Sequence, residues 1–147
     1  MNKLFKTILG LFKKSKPIKK SYKKIILKDQ ILYNVDVEKI NVNSLENCID
    51  DFNKKLETIG VMYGELDHTS KLDITLHNVS HSIEKIKLDN NNNIIANVKT
   101  LSTPSGKILQ NLINDGFKIN FKPSMIGIKD KNNIFEVKEI LTFDVCI

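Results

Sequence analysis

The chain has 147 residues, of which 41% are hydrophobic and 27% charged, which suits one compact domain and a tail rather than two domains. All 23 basic residues are lysine, and residues 1–24 hold nine of them with no acid, so a net charge of +6 leaves 6 − 9 = −3 for the rest. A mildly acidic body speaks against nucleic-acid binding by the folded part, two distant cysteines (Cys48 and Cys146) against a zinc site or a disulfide framework, and the absence of a long apolar run against a bilayer span.

The first element in chain order is an arm. Leu4, Phe5, Ile8, Leu9, Leu11 and Phe12 recur at helical spacing, with Lys3, Lys6, Lys13 and Lys14 on the other side, so residues 3–14 form a basic amphipathic segment that Pro17 and the lysines of 19–24 bring to an end. Such a segment suits a membrane surface, an acidic partner helix or a solvated arm. The expected organisation is therefore a basic arm over 1–24 and a folded domain over 25–147.

Two β-rich runs follow, over 25–33 and 35–42, parted at Asn34. Ser44 is placed to cap a helix over 45–59, because Leu45, Ile49, Phe52, Leu56 and Ile59 share one face and Gly60 can end it. From residue 61 the period changes to two. Leu72, Ile74 and Leu76 alternate with polar residues, then Ile83, Ile86 and Leu88 lead into an Asp89–Asn93 turn, with a returning strand over 94–101.

Thr103, Pro104 and Gly106 open a second helix, with Ile108, Leu109, Leu112 and Ile113 expected on its buried side and Gly116 as its stop. Strands are expected at about 117–122, 134–138 and 140–146, with a turn over 130–133. The expected fold class is α+β: a mostly antiparallel β-barrel or curled sheet with two main packed helices.

The string Tyr63-Gly64-Glu65-Leu66-Asp67-His68, then Leu76-His77-Asn78-Val79-Ser80-His81, then Leu101-Ser102-Thr103-Pro104-Ser105-Gly106-Lys107, resembles in order and spacing the prohead core proteases of T-even-type tailed phages. The closing Leu141-Thr142-Phe143-Asp144 is similar to a late strand of that family. The resemblance covers residues 61–147 and implies the fold of the herpesvirus assembly proteases, an assemblin-like barrel surrounded by helices. It also implies that His68 stands where the family has its catalytic base, with Asp67, Glu65 or His81 as candidates to orient the imidazole.

One departure bears on the chemistry. Where the family carries a Ser-Ser-Arg-Gly strand, counting from Gly116 and from Gly127 places Lys122 and Pro123 at the two serines and Ser124 at the arginine. A serine is a weak nucleophile until a histidine takes its proton, and a shift of one residue along a strand turns a side chain to the other face. Ser124 is therefore expected to be out of register with His68, and Ser124-Met125 replaces the Arg-Gly pair beside the oxyanion.

His77 and His81 stand four apart but in a strand-like context, so no metal is expected. Gly106-Lys107 lacks the glycine-rich loop of a nucleotide site, and no cofactor is expected. The resemblance thus implies a phage head-assembly protein in the host cytoplasm, associated with the prohead or virion. It would be a non-catalytic inhibitor or regulator of the prohead protease, or a core component, with that protease, the scaffolding core protein or further copies of itself as partners. The alternatives are an active serine endopeptidase using His68 with Ser124 or Ser105, and a membrane-surface host-interaction protein held by residues 3–14.

Overall fold

The structure is a computed structural model that describes residues 23–67 and 74–146. The amphipathic segment 3–14, His68 and Leu72 lie outside the described residues.

The first strand, β1, is Ile26–Asn34, and the run after it is not a strand. Residues 36–39 turn instead, because the Asp36 carboxylate accepts from Glu38 N and its carbonyl from Ile40 N, leaving Ile40 as an isolated parallel bridge to Phe135. Helix α1 then runs Val42–Ile59, three residues longer at its start than the sequence suggests. Asn41, not Ser44, is the N-cap: its side chain accepts from Ser44 N at 3.0 Å, while the Ser44 hydroxyl donates to Asn41 O and accepts from Val137 N. Gly60 closes the helix at φ 89°, as its position predicts. Leu45, Cys48, Ile49 and Phe52 are buried, with Phe52 edge-on to Phe143 at 6.2 Å, whereas Ile59 is exposed.

Strands β2 (Met62–Glu65), β3 (Val79–Ile83), β4 (Lys87–Leu88) and β5 (Asn93–Thr100) follow. Residues 74–78 form a turn rather than the expected strand. The loop between β4 and β5 is built on Asp89, whose carboxylate accepts from Asn91 N and Asn93 N, both at 2.8 Å. Helix α2 is Pro104–Asn114, with Thr103 as N-cap and Pro104 in its first turn. Its buried face differs from expectation. Ser105, Gly106, Leu109 and Gln110 point inward and Ile108 is exposed, because Gly106 lies so close to Leu101 O that any side chain there would collide, and Gln110 Nε2 donates to Thr100 Oγ1 and Leu101 O.

The sequence suggests three closing strands and two form: β6, Asn120–Lys129, starts later and runs further than 117–122, and β7, Phe135–Cys146, joins the expected 134–138 and 140–146 into one strand. They form one hairpin whose loop repeats the earlier device, with Asp130 Oδ1 accepting from Asn132 N and Ile134 N.

The class is α+β, but the strands among the described residues do not close into a barrel. One sheet has the order β1-β5-β3-β2 with β4 on β5, the other is β6-β7, and all named strand pairs are antiparallel. The sheets meet where β2 packs on β7, with a parallel bridge from Leu66 to Val145, and approach again where β1 packs on β6. That second seam carries no ladder: β1 is irregular, with register shifts on both sides of Gln30 and Ile31 and with Asp29 at φ 48°. The core lies between the sheets and α1 and is built from Leu32, Ile49, Phe52, Ile94, Val98 and Phe143 among others.

Candidate functional site

The resemblance draws attention to the end of β2 and the strands beside it. Gly64 pairs with His81 of β3, and His81 pairs on its other side with Thr100 of β5. A side chain at Gly64 would collide with His81 Nε2 and with the Phe143 carbonyl. The bare backbone there lets the imidazole cross β2 and reach β7.

His81 is fully buried. Its Nε2 stands 2.8 Å from Phe143 O and its Nδ1 2.7 Å from Ser80 Oγ. A carbonyl only accepts, so the proton sits on Nε2, Nδ1 is the acceptor, and the Ser80 hydroxyl donates to it. Burial lowers the pKa from 6.5 to about 4, against the smaller opposing effects of the Phe143 hydrogen bond and the Asp144 charge. Phe121 of β6 meets the ring edge-on at 5.5 Å. The ring thus touches β2, β3, β6 and β7 in a neutral form with both nitrogens engaged, which gives it the contacts of a structural node and leaves no lone pair for a proton transfer.

The candidate carboxylates divide. Glu65 is buried, and its carboxylate accepts from Thr75 N, which holds the 74–78 turn against β2. Asp67 is exposed and at φ 71°, its N–H donating to Val145 O at 2.8 Å. A third carboxylate, Asp144, was not among the sequence candidates. It is buried at the end of β7 and accepts from Glu65 N at 2.9 Å. The signal that singles it out is a charge inside the apolar Leu141–Ile147 run, where only a buried partner makes a carboxylate tolerable. His68 follows Asp67 directly in the chain and lies outside the described residues.

On β6, Lys122 pairs with Asp144, Pro123 with Phe143 and Ser124 with Thr142. Directly opposed residues share a face, so Pro123 points to the core side with Phe143, while Lys122 and Ser124 lie on the side of Asp144 and Thr142. Ser124 is therefore turned away from the Pro123 position, yet it shares a face with the Lys122 position, about 7 Å further along the strand. A bulge follows at Ser124/Met125. The Ser124 hydroxyl is partly buried and has no hydrogen-bond partner among the described residues, whereas Thr142 donates to Tyr63 O.

The remaining candidates are tied to backbone or apart from one another. Ser105 Oγ donates to His77 O at 2.7 Å and is buried. His77 is exposed while His81 is enclosed, and among the described residues no group of three or more His, Cys, Asp or Glu side chains could hold a metal ion. No helix among the described residues is long and apolar enough to cross a membrane.

No family model matches the chain, and no curated protein does. Among solved structures, the bacteriophage T4 capsid assembly protease, gp21, is similar with a TM-score of 0.62 at 17% identity, over 84% of this chain and 77% of that chain. Similarity at that identity establishes the architecture: the chain has a phage prohead protease-like fold.

Proposed function

We propose that this chain is a phage head-assembly protein that keeps the prohead-protease fold without cleaving peptides and acts inside the prohead as an inhibitor or regulator of the active protease. The fold shared with a capsid assembly protease supports the setting. The observation that carries the non-catalytic reading is the β6 register. Lys122 and Pro123 stand where the resemblance calls for serines, and Ser124, the next residue, is turned to the opposite face from Pro123.

Its partners under this reading are the active protease and the scaffolding core. The assay that tests it mixes the purified chain with its scaffolding protein, alone and together with the active prohead protease. The chain alone leaves the scaffold intact, and added chain slows cleavage by the protease. Cleavage by the chain alone that is lost in both His68→Ala and Ser124→Ala would overturn the reading in favour of a serine endopeptidase. That second reading draws on one observation, the face that Ser124 shares with the buried Asp144.

A further inference from the structure

Leu76 is 87% exposed, Ile74 45% and Tyr63 41%, an unusual concentration of uncovered apolar surface for one turn and the strand beside it. These side chains line a groove of about 570 Å³ together with Leu101 of the β5–α2 connection and Lys24. Lys24 is where the chain enters the fold. The next residue, Ile25, is pinned by two hydrogen bonds, its N–H donating to Thr100 Oγ1 at 2.8 Å and its carbonyl accepting from Thr100 N at 2.9 Å. Thr100 immediately precedes the Leu101–Thr103 wall of the groove, so the root of the arm is fixed at the groove's rim.

The arm itself carries the complementary surface. Leu4, Phe5, Ile8, Leu9, Leu11 and Phe12 fall on one side of a helical projection and the lysines on the other. Residues 15–23 join that segment to the rim, and a link of nine residues spans at most about 32 Å, enough to fold back and too short to stray far. Two apolar surfaces tethered this closely meet at a high effective concentration, which favours contact within one chain over contact between chains.

We infer that the Tyr63–Ile74–Leu76–Leu101 groove is the docking site of this chain's own residues 3–14, which lie across it with the apolar side inward and the lysines in solvent. The inference holds whether or not the chain cleaves peptides.

The chain contains no tryptophan, so Phe5→Trp introduces a single reporter into the full-length protein. The expected result is a blue-shifted emission with several-fold weaker acrylamide quenching than free indole. Both effects should disappear when Leu76→Lys is added, a change that an 87% exposed position accepts without loss of fold, as the circular dichroism would verify. The same blue shift should persist on dilution. Solvent-like emission from Phe5→Trp alone overturns the proposal, and so does a blue shift that survives Leu76→Lys. A shift lost on dilution would assign the groove to the arm of a second copy, and one that appears only with phosphatidylserine vesicles would assign the arm to a membrane surface; either result overturns docking within one chain.

Discussion

The Nε2–H of His81 donates to the carbonyl of Phe143 at 2.8 Å, across 62 residues of sequence, and this bond ties the larger sheet to the β6-β7 hairpin. That bond needs only the proton on Nε2; what favours the neutral ring is its burial, with Nδ1 left to accept from the Ser80 hydroxyl. The folded pKa of about 4 lies below the ordinary 6.5, so the unfolded chain binds the proton more readily. The resulting stabilisation is complete above pH 6.5 and is lost as the pH falls toward 4, by up to about 3 kcal/mol. Urea midpoints measured between pH 7.5 and pH 4 should fall accordingly, and His81→Gln, less stable throughout, should remove most of that slope. An equal slope in the variant would refute the assignment.

Gly64 and Gly60 separate two reasons for glycine. A methyl group at Gly64 would occupy the space of the His81 ring and the Phe143 carbonyl, and the latter is backbone that cannot step aside. Gly64→Ala should therefore cost more than about 3 kcal/mol or prevent folding. At Gly60 nothing lies within 4 Å, so only the left-handed φ of 89° resists a side chain. Gly60→Ala should cost about 1 kcal/mol, and thermal unfolding of the two variants side by side tests the contrast.

The parts of the fold that the sequence makes legible are those set by local chemistry: Gly60 as a helix stop, the Thr103-Pro104 start of α2, and the two loops built on Asp89 and Asp130. What is not legible depends on distant partners. The 35–42 run has strand composition, but Asp36 captures the following N–H groups and pairing with β7 is limited to the single bridge from Ile40 to Phe135. Ser44 reads as a cap until Val137, 93 residues away, engages its hydroxyl. The face of α2 is turned by the close approach of Gly106 to Leu101, which periodicity does not report. At the candidate site the string Gly-Glu-Leu-Asp-His does not reveal that Glu65 is enclosed and Asp67 exposed, nor that Asp144 is the carboxylate received by β2. Those facts come from the packing of β2 on β7.

Thr103 serves two elements. Its hydroxyl accepts from Gly106 N at 3.0 Å and donates to Val79 O, so the start of α2 is fastened to β3 by the residue that caps it. Thr103→Ala should cost about 1–2 kcal/mol, and Thr103→Ser should recover most of it because the hydroxyl alone makes both bonds. If the serine variant were as unstable as the alanine one, the methyl group and not the cap would be the stabilising part.

Ser124 and Thr142 face each other across β6 and β7 and carry the same functional group, yet they should respond differently to its removal. Thr142 is 4% exposed and its hydroxyl donates to Tyr63 O, one of the contacts that hold β2 on the hairpin. Thr142→Val keeps the shape and leaves that carbonyl without its donor, at about 1–2 kcal/mol. Ser124 makes no such bond among the described residues, so Ser124→Ala should change stability by less than about 0.5 kcal/mol. Denaturant melts of both variants check the stability pair. Under the proposed inhibitor role, a serine that makes no hydrogen bond among the described residues can be lost without consequence, so Ser124→Ala should inhibit the active protease as well as the unaltered chain would. Loss of inhibition in a Ser124→Ala protein of unchanged stability would mean that this hydroxyl contacts the partner, and the regulatory surface would then have to include β6.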